Sequence, residues 1–439
     1  MITTEGIKLK HVHPLKALLI GYLGYIGLGW ILLCLPWSQG SGQVGALDHL
    51  FTATSAVSTT GLATVGTSSS YSFFGQIVIL ASIQMGGIGY MTLGSFILLA
   101  RNGELPAARK NVARWAFVLP EGFSVVHFVR NVVLFTFSIE FLGALGLFIA
   151  FRSAGVENAF WQAIFHSVSA FCTAGFSLFP DSLEQFSANF WVLSVVAMLS
   201  VFGATGFLVM SDLFGSLFGK RDRVTLTTRI ILHATGWMIV VGWIGLFLLE
   251  PSYRSLSNED RVLASGFQAM SALTTVGFNS TPIPVFAHAP VFLLLLMMIL
   301  GASPSGTGGG LKSTSVSAAL ATVWSTLKGR SKVTFWGCKV PAHRLTMAFS
   351  SVVFYIIIFF AGGLVLLCLQ PEPMADILFE AASALGTVGL SRGITGDLTP
   401  LSKCVVIALM FIGRIGPITF GLALFSGESK PLDTEDLAV

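Results

Sequence analysis

Charge is what this 439-residue sequence has least of: 25 basic and 21 acidic residues make up 10% of the chain, where an ordinary soluble domain carries about 25%. So few solvating side chains exclude a cytosolic enzyme, a disordered tail and a nucleic-acid-binding surface. The five cysteines, Cys34, Cys172, Cys338, Cys368 and Cys404, have no CxxC or CxxH spacing, so neither a disulfide framework nor a metal or redox centre is read from them. No nucleophile, base and orienting acid recur as a set, and GTGGG at 306–310 has neither the GxxxxGK[ST] pattern nor the βα context of a phosphate loop. The chain is not expected to be an enzyme or to bind nucleotide by itself.

What remains is apolar. Residues of the apolar and aromatic set form 54% of the chain, its mean hydropathy is +0.80, and 47 residues are glycine. Segments long enough to cross about 30 Å of hydrocarbon as helix fall near 16–37, 71–99, 127–150, 189–214, 231–249, 290–324, 346–369 and 402–425. Between the members of each pair lies a shorter stretch, near 46–59, 158–172, 262–275 and 375–386, too short to span. The expected fold is an all-α polytopic membrane protein of four span, re-entrant helix, span repeats around one central pore. The repeats run over 1–110, 111–220, 221–330 and 331–439, the last with a short tail, and the third carries a gating loop at 301–315.

Charge placement bears on the orientation. Lys8, Lys10, Lys16, Arg101, Arg109, Lys110, Arg114, Lys220, Arg221, Arg223, Arg229, Lys328, Arg330, Lys332, Lys339, Arg344 and Lys430 all fall on one side of this topology. The positive-inside rule makes that side cytoplasmic, with both termini inside. Asp48, Glu157, Glu259, Asp260, Asp376 and Glu380 fall at or near the starts of the short helices, where acids complement the helix dipole.

After each short helix the chain reads AVSTTGLATVG at 56–66, AFCTAGFSLFP at 170–180, ALTTVGFNSTP at 272–282 and ALGTVGLSRGI at 384–394. The aligned glycines, Gly61, Gly175, Gly277 and Gly389, are 114, 102 and 112 residues apart. Non-helical backbone inside a membrane is tolerated only where it lines a cavity or is buried in protein. Glycine there lets main-chain carbonyls replace the hydration shell of a bare cation. The expected ion-binding residues are Ser58, Thr59, Thr60 and Gly61; Cys172, Thr173, Ala174 and Gly175; Thr274, Thr275, Val276 and Gly277; and Gly386, Thr387, Val388 and Gly389. None is acidic, which argues against a carboxylate-ring divalent filter and for potassium or another large monovalent cation.

The sixth span is interrupted by Gly301, Ala302, Ser303, Pro304, Ser305, Gly306, Thr307, Gly308, Gly309 and Gly310. Five glycines and a proline cannot form a rigid helix, so a loop that obstructs the pore and moves during gating is expected there. Lys312 follows it, with three roles open: pairing with an internal acid, contact with carbonyls, or snorkelling to the membrane edge. Arg414, in MFIGRIGPIT at 410–419, lies inside an apolar span and is a functional residue by default. It is expected to limit conduction from below the filter, with Glu140 and Asp212 as candidate partners by type. His49 and His166 are expected to be structural, and the tryptophans to anchor or pack.

The TTGL, TAGF, TVGF and TVGL motifs, GASPSGTGGGLKS and GRIGP together resemble the Trk/Ktr/HKT superfamily of potassium transporters, most closely the bacterial Ktr membrane subunit, over residues 12–425. The resemblance implies potassium uptake through a single-chain pseudo-tetrameric pore in the bacterial inner membrane. It also implies a homodimer in membrane lipid, resting on an octameric cytosolic ring of RCK subunits that bind ATP or ADP and often a cyclic dinucleotide, with Na+ as an activator. Sodium-selective plant relatives carry serine at the first filter position, whereas Gly61 stands here, and Trk-type subunits add two N-terminal spans. A sodium-conducting or K+/Na+ coupled transporter, or a secondary transporter of an organic solute, is the alternative.

Overall fold

In a computed structural model the described residues are 14–89, 125–217, 224–301 and 303–425. They form α1 (Pro14–Leu33), α2 (Ala46–Val57), the one-turn α3 (Thr67–Ser70), α4 (Phe73–Ile88), α5 (Val125–Ser153), α6 (Ala159–Phe171), α7 (Phe190–Thr205) and α8 (Phe207–Leu217). There follow α9 (Leu226–Leu249), α10 (Asn258–Leu273), α11 (His288–Ile299), α12 (Ser313–Leu327), α13 (Ala342–Leu369), α14 (Met374–Gly386), α15 (Pro400–Ile415) and α16 (Pro417–Phe425). A two-stranded hairpin, Thr334–Phe335 with Cys338–Lys339, precedes α13.

The order span, short helix, span recurs in four units. α1, α5, α9 and α13 are the unbroken spans, each apolar and long enough to cross a bilayer. They turn large apolar side chains outward, including Phe141 at 70% and Trp237 at 68% exposure, a pattern that only a lipid surround makes favourable. The short helices α2, α6, α10 and α14 have 12 to 16 residues, so at 1.5 Å per residue they reach about 18–24 Å, less than a membrane crossing.

The second spans of units two and four differ from the expected continuous helices, whereas the interruption in the third unit is the expected one. α7 and α8 meet at 94°, as do α15 and α16. Each break falls on a glycine in the left-handed region, Gly206 at φ 93° and Gly416 at φ 90°, where an L side chain is strained. α4 likewise ends before Gly89 at φ 82°. In the third unit α11 stops at Ile299, and the chain to Lys312 is irregular before α12 begins.

Side-chain caps fix the entries of the second spans: Ser72 accepts from Gly75 N, Asn189 from Val192 N and Thr399 from Ser402 N. Two large apolar cores join the units. Val276 and Phe278 of the third unit pack in the core of the first two, while Phe51 and Leu62 of the first pack with units three and four.

The starts of the short helices carry Asp48, Glu259, Asp260 and Asp376 in their first turns, and Glu157 just before α6. Glu380 does not belong to this set. It lies in the middle of α14, fully buried, and accepts from Ser391 and Thr395. Most of the basic residues that set the expected orientation, Lys8, Lys10, Arg101, Arg109, Lys110, Arg114, Lys220, Arg221, Arg223 and Lys430, lie outside the described residues.

Candidate functional site

Each short helix ends in the same way. Thr59, Thr173 and Thr387 take φ 51° and Thr275 φ 58°. A β-branched residue with positive φ is a strained outlier costing about 1–3 kcal/mol, retained only where its surroundings over-determine it. Four equivalent copies are therefore a built feature. Two residues later Gly61, Gly175, Gly277 and Gly389 return to positive φ, between 65° and 96°.

The residue between threonine and glycine hydrogen-bonds back to a serine carbonyl in its own short helix. Thr60 N donates to Ser55 O and Ala174 N to Ser169 O at 2.8 Å, Val276 N to Ser271 O at 3.2 Å, and Val388 N to Ser383 O at 2.8 Å. The serine hydroxyls fasten the strand a second time: Ser55 and Ser383 accept from Gly61 N and Gly389 N at 3.0 Å, and Ser169 and Ser271 donate to Phe176 O and Phe278 O at 2.8 and 2.5 Å. These serines were missing from the expected site. Each stands directly before the alanine that opens the quoted segments, so a fourfold Ser-Ala dipeptide at 55–56, 169–170, 271–272 and 383–384 was the available signal.

The four strands close into a ring. A Cβ on Gly61 would stand 2.4 Å from Ala174 O, on Gly175 2.3 Å from Val276 O, on Gly277 1.9 Å from Val388 O, and on Gly389 2.2 Å from Thr60 O. Each glycine thus faces a carbonyl of the next unit, and the fourth faces the first. No side chain larger than hydrogen fits at any of them.

The layer beneath is asymmetric. Ser303 to Gly310 run under the ring, anchored by Ser303 N to Ala204 O at 3.1 Å, Thr307 N to Gly203 O at 3.0 Å and Phe207 N to Ser305 O at 3.2 Å; Pro304 and Gly306 crowd Gly206 at the α7–α8 break. Ala302 lies outside the described residues. Thr307 is the hub. Its carbonyl accepts from Thr59 Oγ1 at 3.3 Å, its hydroxyl lies 3.1 Å from that of Thr173, and the same hydroxyl donates to Phe171 O at 3.1 Å. Gly309 N donates to Thr387 Oγ1 at 2.9 Å. The Thr275 hydroxyl alone among the filter threonines has no partner within the described residues.

Arg414 reaches into this layer from α15. It donates to the Thr307 and Gly86 carbonyls, to Thr59 Oγ1 at 3.0 Å and to Gly87 O at 3.4 Å. Neither acid proposed for it by type is a partner in these bonds. Glu140 accepts from Gln84 Nε2 at 3.0 Å, with Cys172 Sγ at 3.7 Å, and Asp212 accepts from Thr225 N and Thr228 Oγ1 at 2.7 Å. Lys312 resolves to the second of its three expected roles, donating to Gly308 O at 2.8 Å and Gly309 O at 3.3 Å.

Of the remaining expected filter residues, Ser58 and Thr274 turn their hydroxyls back to Thr54 O and Met270 O, and a Cβ on Gly386 would stand 2.7 Å from Met298 O. Those side chains serve the helix ends. His49 lies 3.2 Å from the Tyr71 hydroxyl, and His166 bonds Gln162 O and Ser177 Oγ, which are packing roles. Among the described residues no group of three His, Cys, Asp or Glu side chains gathers to hold a metal. What the site offers a cation is backbone oxygen.

The sequence profile of the family described as TrkH, cation transport protein, matches residues 34–429. The chain is 34% identical to Ktr system potassium uptake protein B of Bacillus subtilis, over 98% of this chain and 97% of the relative. It is 32% identical to the protein of the same name from Vibrio alginolyticus, over 94% and 91%, and 30% identical to the potassium/sodium uptake protein NtpJ of Enterococcus hirae, over 94% and 93%. The crystal structure of the potassium transporter TrkH from Vibrio parahaemolyticus superposes with a TM-score of 0.73 at 20% identity, covering 97% of this chain and 87% of that one. That likeness carries the fold.

Proposed function

Since this chain belongs to the TrkH family of cation transport proteins, in the Trk/Ktr/HKT superfamily, we propose that it is the potassium-translocating subunit of a gated uptake system. The family performs ion transport rather than covalent chemistry. Dehydrated K+ passes through the ring of Gly61, Gly175, Gly277 and Gly389, with carbonyls of the four strands replacing its water. The observation that carries this reading is the ring itself, four left-handed threonines and four glycines each facing the next unit's carbonyl. An inside-negative potential supplies about 2.3 kcal/mol per charge per 100 mV as driving force.

Below the ring, the segment from Gly301 to Gly310 with Lys312 and Arg414 acts as the gate. Two side-chain cations and a closed set of loop bonds in the path oppose an ion leaving the filter. Opening requires Thr307 to release Thr59, Thr173 and Arg414. The chain works as a homodimer in the bacterial inner membrane, both termini cytoplasmic, on a cytosolic RCK ring that binds ATP or ADP, and Na+ stimulates it. The four units divide near residues 110, 220 and 330. Support for potassium comes from the names of the Ktr relatives, the cytosolic partner follows from the resemblance of the motifs to that family, and the Enterococcus hirae relative, by its name, keeps K+/Na+ coupling as a second reading.

K+ and Na+ flux in vesicles, with and without an RCK partner, tests both. Wild type should pass K+ over Na+ and respond to the partner, Gly277→Ser should lose that preference, and deletion of Gly301 to Gly310 should raise partner-independent flux. Flux of K+ that requires Na+ in stoichiometric amount would establish coupling, and unchanged selectivity in Gly277→Ser would refute the filter.

A further inference from the structure

Nine positions before its filter glycine, every short helix carries a polar residue: Thr52, His166, Gln268 and Glu380. All four are buried. Three are held by groups of their own unit. Tyr71 donates to Thr52 Oγ1 at 3.1 Å, His166 Nε2 lies 3.0 Å from Ser177 Oγ, and Glu380 accepts from Ser391 at 2.9 Å and Thr395 at 2.5 Å. These bonds tie each short helix to the chain that leaves the filter, and so limit how far the strand between them can move.

Gln268 breaks the set. Its side chain is fully buried, and neither Oε1 nor Nε2 has a protein partner among the described residues. The residue eleven positions on, which in units two and four is the serine partner, is Asn279 here. Its amide is turned to Glu184 Oε1 at 2.6 Å and Thr281 O at 3.3 Å. The next residue, Ser280, also has a buried hydroxyl without a protein partner. An amide with all its donors and acceptors unmet is among the costliest defects an apolar interior can hold.

The backbone bonds of the strand in front of Gln268 are the longest of the four, although its Ser271 hydroxyl staple to Phe278 O is the shortest at 2.5 Å. Val276 N to Ser271 O measures 3.2 Å where its three counterparts measure 2.8 Å, and Thr275 N to Ala272 O measures 3.4 Å against 3.1 Å. Thr275 also lacks the loop contact that the other filter threonines make.

We propose that ordered water binds at the Gln268 amide and backs the third filter strand, which makes Gln268 a specificity-determining residue of the filter. A buried amide presents donors and an acceptor together, the combination a buried water meets, and its Nε2 hydrogens need an acceptor, which a cation is not. A water bridge yields more readily than the direct bonds of the other units, so the third strand is the compliant side of the ring. The water site rests on the unmet, fully buried amide; the specificity role rests on the filter reading above.

An experimental structure of wild type at a resolution that places ordered water is expected to show solvent density in hydrogen-bond range of Gln268. A dry amide, or one bonded directly to Asn279, overturns the site. In the second arm Gln268→Met, close in volume, should lower Tm and raise the Na+/K+ flux ratio about two- to tenfold, the range set by one hydrogen bond, while Gln268→Glu, which keeps polar atoms there, should remain near wild type. A higher Tm with an unchanged ratio in Gln268→Met means that the amide was unpaired, and overturns the proposal. If that variant does not accumulate, the wild-type density decides the site and Gln268→Asn, carrying the amide one methylene back, replaces it in the flux measurement with the same expectation. Density present with the flux ratio unmoved in every variant refutes the specificity role and spares the water. Absence of K+ flux in wild type would defeat the proposed function without touching the density.

Discussion

The filter ring and the layer beneath it are adjacent, yet they are built on opposite rules. In the ring all four units contribute the same parts, a left-handed threonine, a glycine and a serine staple, and no charged side chain. In the layer below, unit three supplies the loop and Lys312, unit four supplies Arg414, and units one and two supply uncharged partners: carbonyls, hydroxyls and the Phe207 N–H. Symmetry suits a part that must surround a spherical ion with equal oxygens. On the proposed reading a gate needs only to break one set of bonds, for which a single asymmetric segment held at Thr307 is enough.

If that contrast is right, equivalent substitutions in the ring should behave alike. Serine at Gly61, Gly175, Gly277 or Gly389 should each reduce K+ flux on the order of a hundredfold, the equivalent of about 3 kcal/mol of strain at the passage, measured in vesicles. A single tolerant position would break the fourfold equivalence. In the lower layer one change should suffice. Arg414→Ala, which removes a charge and the bonds to Thr307, Thr59 and Gly86, should raise partner-independent flux roughly tenfold with insertion unchanged, and a fall in assembled protein would reassign Arg414 to holding α15 against α4.

Smaller effects are expected where the parts are only fastened. Ser383→Ala removes the hydroxyl that accepts from Gly389 N and should cost about 1 kcal/mol, read as a few degrees in Tm with selectivity impaired in the same direction as the glycine variants. The smallest effect lies at the mouth of the bundle, where Lys403 Nζ meets Asp48 Oδ1 at 2.6 Å and joins α15 to α2. Burial pushes the Asp48 carboxyl up, but the hydrogen bond and the charge of Lys403 outweigh it and hold the group below its ordinary range. Its contribution is therefore complete above the unfolded value and is lost as pH falls through the lowered folded one. Discounted for partial exposure, it amounts to about 1 kcal/mol or less. Lys403→Met should flatten the acid limb of a Tm-against-pH curve, and an unaltered limb would remove this pair from the account.

Much of the outline could be read from residues alone because membrane physics writes it in composition. Apolar length marks the spans, and a run such as Gly301 to Gly310 cannot be helix. The four glycines that close the ring are legible by spacing, since each repeat must meet the others at one axis. The bends in the second spans of units two and four are not legible, although Gly206 and Gly416 mark them, because a lone glycine inside an apolar run is also common in helix packing. Glu380 was misplaced for a related reason: an acid near a helix start satisfies the dipole argument, whereas its real partners Ser391 and Thr395 belong to the return chain. Arg414 was recognised as special but not its partners. Gly86 and Thr307 meet it through backbone carbonyls, which every residue possesses, so no residue type announces them.

The central claim is that the cation binds to main-chain oxygens inside the ring. Anomalous scattering from crystals grown in Rb+, an ion that substitutes for K+, tests it most directly. The account predicts Rb+ density on the axis between Gly61, Gly175, Gly277 and Gly389, coordinated by backbone carbonyls and displaced by K+ but not by Na+. Rb+ bound instead at a carboxylate such as Glu140 or Asp212, with none in the ring, would contradict it.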